Sequence, residues 1–133
     1  MKTIFKCLGV LVILFLVFNT DASAQQSTGK VFWMTTIEVP LSKLSEYHSF
    51  NANELQPLMV SYGYNPVVTW QTIVGDIEEV IFVAEFESMN AYQQARVNLL
   101  ASEEWISVGR KLDSFAKSIH TRFLSATPYS KLQ

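Results

Sequence analysis

The chain has 133 residues, of which 49% are hydrophobic and 17% charged, and its formal net charge at pH 7 is −2. The charges are scattered, without basic clusters or long runs of one sign, which argues against nucleic acid or an anionic membrane surface as a partner.

The first 24 residues have the pattern of a secretory signal peptide. Lys2 and Lys6 precede an apolar run at residues 7–18, and the small residues at 22–24 suit a signal peptidase. The apolar run is shorter than the ~20 residues that cross a bilayer, so the sequence predicts cleavage rather than a retained membrane anchor. We therefore expect an exported protein, in the periplasm or the medium, with no membrane association after cleavage.

Removing residues 1–24 from the 133 leaves 109, which is the size of one domain with one core. These 109 residues contain no cysteine, so packing or oligomerisation must supply the stability that disulfides give many small exported domains. Residues 25–29 are predicted to be a disordered lead-in, residues 30–126 the folded domain, and residues 127–133 a C-terminal tail.

The segment at residues 30–39 is predicted to be a strand that is apolar on both faces. Alternate residues form two sets: Val31, Trp33, Thr35 and Ile37 on one face, and Phe32, Met34 and Thr36 on the other. A strand buried on both sides needs two covers. One is the chain's own helices, and we expect the other to be a second subunit.

Residues 40–62 are predicted to form the first helix, because apolar residues recur at helical spacing, namely Leu41, Leu44, Leu55, Leu58 and Tyr62. Pro57 lacks a backbone donor, which predicts a kink or a restart near residues 54–56. Gly63 is expected to end the helix.

Two strands are predicted next, at residues 67–74 and 80–86, joined by a tight turn at Gly75 and Asp76. Gly75 can supply the positive φ that such a reversal needs. The two strands should therefore pair as a hairpin.

The last third of the chain is predicted to contain two helices and a strand. Ser88 is the expected N-cap of a helix at residues 89–100, and Ser102 that of a second helix. Residues 118–125 alternate as a strand. The order β-α-β-β-α(α)-β predicts an α+β, ferredoxin-like fold, in which a four-stranded antiparallel sheet carries helices on one face. The bare face favours a homodimer built sheet against sheet.

Short elements occur in a characteristic order along the domain: Val39-Pro40, Lys43-Leu44 and Tyr47, then Leu55-Gln56-Pro57-Leu58, Gly75-Asp76, Phe86-Glu87-Ser88 and Ser102-Glu103-Glu104-Trp105. In this order and spacing the chain resembles the NIPSNAP-type family of the dimeric α/β-barrel (ferredoxin-like) superfamily. The resemblance implies a two-fold dimer that forms a shared barrel. It implies no particular reaction, because the family has no catalytic motif that can be transferred residue by residue. Related barrels include cofactor-independent monooxygenases, haem-degrading enzymes and stress-responsive binding proteins.

His48 and Asn51 fall on the apolar arc of the first predicted helix, where polar groups need partners. One interpretation is that they line a ligand cavity between helices and sheet, with Tyr47 and Trp70 as aromatic walls. The alternative is that backbone carbonyls near Pro57 satisfy both side chains within the core.

His120 and Arg122 alternate on the last predicted strand and are candidates for binding an anion. The alternative is that they form salt bridges with acidic residues such as Glu85 or Glu38, across the sheet or across the dimer interface. The two histidines lie 72 positions apart without a ligand-spacing motif, so no metal site is predicted.

Three hypotheses for function remain open. The leading one is an exported homodimer that binds a small, mainly apolar molecule or serves as an accessory interaction module. The second is a cofactor-independent monooxygenase-like or isomerase-like enzyme, in which His48 and Asn51 polarise an aromatic substrate. The third is haem handling with His48 as the iron ligand, the only cofactor considered.

Overall fold

The structure is a computed structural model that describes residues 29–132. The predicted signal peptide and residues 25–28 of the predicted lead-in lie outside the described residues, as does Gln133. The strands are β1 (Val31–Glu38), β2 (Asn65–Gln71), β3 (Glu79–Phe86) and β4 (Ser118–Leu124). The α-helices are α1 (Leu44–Phe50), α2 (Gln56–Ser61), α3 (Met89–Leu100) and α4 (Glu103–Phe115). Between residues 29 and 132, no helix combines the length and the apolar character that crossing a bilayer requires.

The four strands form one antiparallel sheet in the order β2-β3-β1-β4. Strand β1 is central and pairs with β3 and β4, so that Trp33 lies opposite Ala84 on one side and Phe123 on the other. The helices cover one face of this sheet. The predicted α+β, ferredoxin-like architecture is therefore confirmed.

Residue alternation divides the sheet into two faces, which we call the covered face and the open face. The covered face contributes to the main core, which joins strand residues such as Trp33, Phe82 and Phe86 to helix residues such as Tyr47 and Leu99. By the strand register, the open face carries Phe32, Met34, Thr36, Val68, Trp70, Ile81, Val83, His120, Arg122 and Leu124.

The first predicted helix is interrupted by a π-helical segment at Asn51–Leu55, which joins α1 to α2. The amide of Gln56 donates to the carbonyl of Asn51, five residues back. Pro57 follows directly in the first turn of α2 and has no N–H to donate to a carbonyl of the preceding turn. The interruption predicted near residues 54–56 is thus present, as a widened turn rather than a break.

The start of the first helix differs from the prediction. Leu41–Lys43 form a 3₁₀ turn before α1, and Leu41 is 53% exposed, so it is not part of the apolar stripe. Gly63 has a φ of +94° and lies just beyond the end of α2, as predicted.

The predicted bounds of the hairpin are wrong. Strand β2 ends at Gln71, and residues 72–78 form a loop instead of a two-residue turn. Ile73 and Val74 are each 86% exposed in this loop. Gly75, with a φ of +100°, makes its tight part, where its carbonyl accepts from the amide of Ile77 at 2.9 Å. The predicted strand was too long because Ile73 and Val74 have high strand propensity, although no partner strand pairs with them here.

The helix caps are confirmed. The hydroxyl of Ser88 accepts from the amide of Ala91 at 3.1 Å, and α3 has the predicted bounds. The hydroxyl of Ser102 accepts from the amide of Trp105 at 3.2 Å at the start of α4. These local hydrogen bonds set where each helix begins.

Candidate functional site

A cavity of about 230 Å³ lies between the helices and the covered face of the sheet. Its apolar walls come from both layers and include Trp33, Ile37, Phe82, Leu55, Met59 and Leu99. Pockets that hold drug-sized ligands typically measure ~300–1,000 Å³, so the space suits a smaller molecule. A larger depression of about 400 Å³ lies on the surface between Glu46 and Lys111. Its Lys111 already pairs with Glu54, so the cavity between the helices and the sheet is the better candidate.

Asn51 places an amide among these apolar walls. It lines the cavity, it is only 9% exposed, and it is the first residue of the π-helical segment. Within residues 29–132 its side chain has no hydrogen-bond partner, although its backbone amide donates to the carbonyls of Tyr47 and His48. π-helical turns often occur at functional sites. The amide is therefore available to a ligand.

Tyr47 and Tyr64 add two phenols to the cavity wall. They are 1% and 3% exposed. Burial raises the pKa of Tyr47 to about 12. Burial also raises the pKa of Tyr64 to about 12, with a further increase from Tyr92 and an opposing effect from Arg96. Both side chains therefore keep their protons at neutral pH and can donate or accept hydrogen bonds.

Trp33 anchors the aromatic part of the wall. Its ring meets those of Tyr64, Phe82 and Tyr92 at centroid distances of 5.5, 6.0 and 6.3 Å. Its buried indole N–H has no hydrogen-bond partner among the described residues. Leaving such a donor unpaired costs about 1–3 kcal/mol, so the surrounding packing must offset it.

The structure places His48 outside the cavity lining. Its Nε2 lies 2.9 Å from Oε1 of Gln71, a side-chain contact rather than the expected backbone carbonyl. The predicted helical arc assumed 100° per residue from Leu44 to Tyr62. The π-helical segment has more residues per turn, so it shifts the phase of the later residues relative to His48. Tyr47 and Asn51, four residues apart in the first part of the helix, face the cavity instead.

Trp70 also lies away from the cavity. It pairs with Ile81 on the open face and is 57% exposed. The next residue, Gln71, points to the helices, where it meets His48. Successive side chains of a strand point to opposite faces of the sheet, so Trp70 and Gln71 lie on different faces. Of the four predicted ligand-binding residues, the structure brings together Tyr47 and Asn51 only, and ligand binding by these two remains a prediction.

His120 and Arg122 lie side by side on the open face, opposite Thr36 and Met34 of β1. Neither forms an ion pair within residues 29–132. The acidic residues proposed as their partners are engaged elsewhere, Glu85 with Lys30 at 3.8 Å and Glu38 with Lys117 at 3.7 Å. The salt bridge expected within one chain is therefore not formed, and anion binding by His120 and Arg122 remains a prediction.

The residues around the cavity do not fit a haem site. No histidine lines it, and His48 is engaged with Gln71. Across residues 29–132, no group of three or more His, Cys, Asp or Glu side chains is placed to hold a metal ion. The described part of the cavity therefore offers no imidazole for haem iron.

Sequence reasoning missed most of the lining residues, among them Trp33, Tyr64 and Arg96. Trp33 was predicted only as part of one face of the first strand. Its position beside Thr35 on the same strand face was the available signal. Arg96 carried no signal of its own, because its place at the cavity follows from how α3 packs on the sheet.

Comparison with known proteins adds family evidence to this geometry. The NIPSNAP family model matches residues 34–131. A NIPSNAP family protein from Agrobacterium tumefaciens has a similar structure, with a TM-score of 0.74 and 19% identity, over 78% of this chain and 99% of that one. An uncharacterized NIPSNAP domain protein from Burkholderia xenovorans has a TM-score of 0.71 and 16% identity, over 75% of this chain and 97% of that one.

A more distant likeness connects the fold to an enzyme. SnoaB, a cofactor-independent oxygenase from Streptomyces nogalater, has a TM-score of 0.58 and 13% identity, over 78% of this chain and 98% of that one. At these identities the structural likenesses show the fold alone. No curated protein matches the sequence. The family model nevertheless spans most of the chain, and the chain therefore belongs to the NIPSNAP family.

Proposed function

We propose that this protein binds a small, mainly apolar molecule in the cavity between its helices and its sheet. The observation that carries the proposal is the buried, unpaired indole N–H of Trp33 in the apolar wall of a cavity that Asn51 also lines. Protein interiors are close-packed and pair their buried donors, so a cavity with an unpaired donor in its wall is best explained by a ligand that fills it.

The proposal includes export and dimerisation. The N-terminal pattern of basic residues, apolar run and small residues supports export. The open face of the sheet supports a homodimer, since it presents exposed apolar side chains such as Trp70 and Leu124. An accessory interaction module is the variant of this proposal in which the same dimer acts without a ligand.

Native mass spectrometry of the purified protein tests ligand binding, with a thermal-shift panel of small apolar compounds beside it. Leu100→Trp is expected to abolish binding, because Leu100 lines the cavity and is 43% exposed at its edge. Val97→Trp is the control, since Val97 lies on the same helix and is 65% exposed away from this cavity. Equal binding by both variants would place the ligand elsewhere.

A second candidate function is a cofactor-independent monooxygenase. The observation that favours it is the pair of Asn51 and Tyr47 in the cavity, in a fold shared with SnoaB. In such a reaction an electron-rich substrate itself reduces dioxygen, and a CH₂ group becomes a carbonyl while the second oxygen atom leaves as water. Asn51 would polarise the substrate oxygen. His48 has no part in this version of the hypothesis.

Oxygen consumption with a panel of electron-rich phenols tests the second candidate. Asn51→Ala is expected to lose turnover at an unchanged melting temperature. Asn53→Ala is the control, because Asn53 is exposed and donates only to the carbonyl of Ser49, at 2.8 Å. Absence of consumption with the wild-type protein would leave binding as the function.

A further inference from the structure

The described lining of the cavity carries positive charge and no negative charge. Arg96 is the only charged residue among its described lining residues, which include no Asp, Glu, Lys or His. Within residues 29–132, Arg96 forms no ion pair. Its one side-chain hydrogen bond runs from Nη1 to the hydroxyl of Tyr92, at 3.4 Å. A guanidinium has five N–H donors, so most of its hydrogen-bonding capacity is unused by the described residues.

Arg96 sits at the edge of the cavity rather than inside it. On α3, Tyr92, Ala95 and Leu99 are buried, whereas Arg96 is exposed overall while still lining the space. A long side chain of this kind lays its stem on apolar surface and keeps its charged end at the rim. The positive charge is therefore placed where a ligand would enter.

The charge of Arg96 also reaches the cavity interior. It lowers the pKa of Tyr64 against the larger raising effect of burial, so it acts on a phenol that lines the same space. The indole N–H of Trp33, which lines the same space, also has no acceptor among the described residues. Donors without an acidic partner favour a ligand that supplies acceptor oxygens.

We infer that the ligand carries a carboxylate that pairs with Arg96 at the rim, on an apolar body that fills the cavity. A carboxylate matches the guanidinium fork with two parallel hydrogen bonds. The apolar walls lower the local dielectric, which strengthens this attraction relative to one in open water. The inference rests on the proposed small-molecule function and specifies the chemical class of its ligand.

Matched pairs of probes test the charge at constant shape: benzoate and benzamide, 1-naphthoate and 1-naphthamide, octanoate and octanamide. Their affinities are measured by calorimetry at low and at physiological salt. The wild-type protein is expected to bind the carboxylate of the best-fitting pair about tenfold more tightly than the amide. Added salt should narrow this preference, because the pair lies at the rim.

Two variants make the test specific to Arg96. Arg96→Gln should remove the preference by weakening carboxylate binding, with the affinity for the amide unchanged. Arg110→Gln, an exposed position on α4 outside the cavity lining, should keep the wild-type preference. Melting temperatures of both variants establish that they are folded.

The outcomes separate this inference from the proposal beneath it. Equal binding of carboxylate and amide by the wild-type protein, or a preference that survives Arg96→Gln, overturns the inference and leaves a neutral-ligand site. Binding of none of the six probes overturns the small-molecule function as well.

Discussion

The two faces of the sheet are both rich in apolar side chains, yet they differ in what covers them. On the covered face of β1, Val31 and Ile37 are each 4% exposed beneath the helices. On the open face, Trp70 and Leu124 are 57% and 43% exposed. The alternation of side chains along the strands therefore serves two purposes. It closes a core within the chain, and it leaves a surface on which we propose that a second copy packs.

The open face is nevertheless dense at its centre. Phe32 and Val83 are 6% and 8% exposed there, although neither belongs to the main core that the described helices join. In the sheet register Phe32 lies between Glu85 and Leu124, and Val83 lies between Met34 and Val68. Burial at individual positions such as Phe32 and Val83 therefore does not distinguish the two faces, whereas the response to protein concentration should.

Phe82→Ala should have the largest effect, because Phe82 is 5% exposed on the covered face and its removal leaves a space in the core. We expect a loss of about 3–5 kcal/mol in the free energy of unfolding. Ile81→Ala, one residue away on the open face, should cost less in the isolated subunit, with a penalty that grows with protein concentration if dimers form. Urea unfolding at two protein concentrations measures both effects. Similar, concentration-independent losses would remove the distinction between the faces.

Trp70→Glu tests the open face, on which we propose that a second copy packs. A charge on the open face should raise the dimer dissociation constant roughly 100-fold, or about 2.8 kcal/mol, while the subunit stays folded. Val97→Glu introduces the same charge at a 65% exposed site on α3 and should leave the dimer intact. Sedimentation velocity measures the change. A wild-type protein that is monomeric at micromolar concentration contradicts the proposed pairing.

Stability at alkaline pH probes the covered face through Tyr47. Burial raises the pKa of this phenol from 10.0 to about 12. The unfolded chain loses this proton near pH 10, whereas the folded protein keeps it. The stability from the neutral phenol is therefore complete below pH 10 and is lost as the pH rises towards 12, by roughly 2 kcal/mol.

Denaturation midpoints measured between pH 9 and pH 11.5 test this expectation. Tyr47→Phe should make the decline shallower without abolishing it, because burial also raises the pKa of Tyr64 to about 12. Tyr129→Phe, at an 88% exposed position, should follow the wild-type profile. An unchanged profile in Tyr47→Phe would mean that other groups cause the decline.

Asn51→Ala and His48→Ala sharpen the comparison within one helix. Asn51→Ala should weaken ligand binding about tenfold, or about 1.4 kcal/mol, because it removes the amide from the cavity. His48→Ala should leave ligand affinity unchanged and cost about 0.5–1.5 kcal/mol of stability through the lost contact with Gln71. Calorimetry and thermal unfolding separate the two quantities. The reverse pattern would return His48 to the site.

The smallest expected effect concerns haem. Haemin added to the purified protein should produce no Soret shift that depends on His48, because no histidine is among the described residues that line the cavity. Absorbance spectra of the wild-type protein and of His48→Ala test this directly. A shift that vanishes in the variant would revive haem handling.

Local sequence signals determined the element order, the helix caps and the alternation of the strands. Ser88 and Ser102 cap their helices through hydrogen bonds that span only three residues. The interruption of the first helix was also visible in advance, since Pro57 acts through its own missing donor. Features of this kind depend on neighbours in the chain, and a sequence displays those neighbours directly.

Tertiary structure alone decided where the hairpin ends, which face Trp70 takes and which residues meet at the cavity. Ile73 and Val74 have strand propensity, but a strand ends where its partner ends, at the pairing of Gln71 with Val80. The phase shift across Asn51–Leu55 moved His48 off the predicted arc, and Arg96 reached the cavity through the packing of α3. These outcomes depend on register and phase between segments far apart in the chain, and a shift of one residue or a fraction of a turn reverses them.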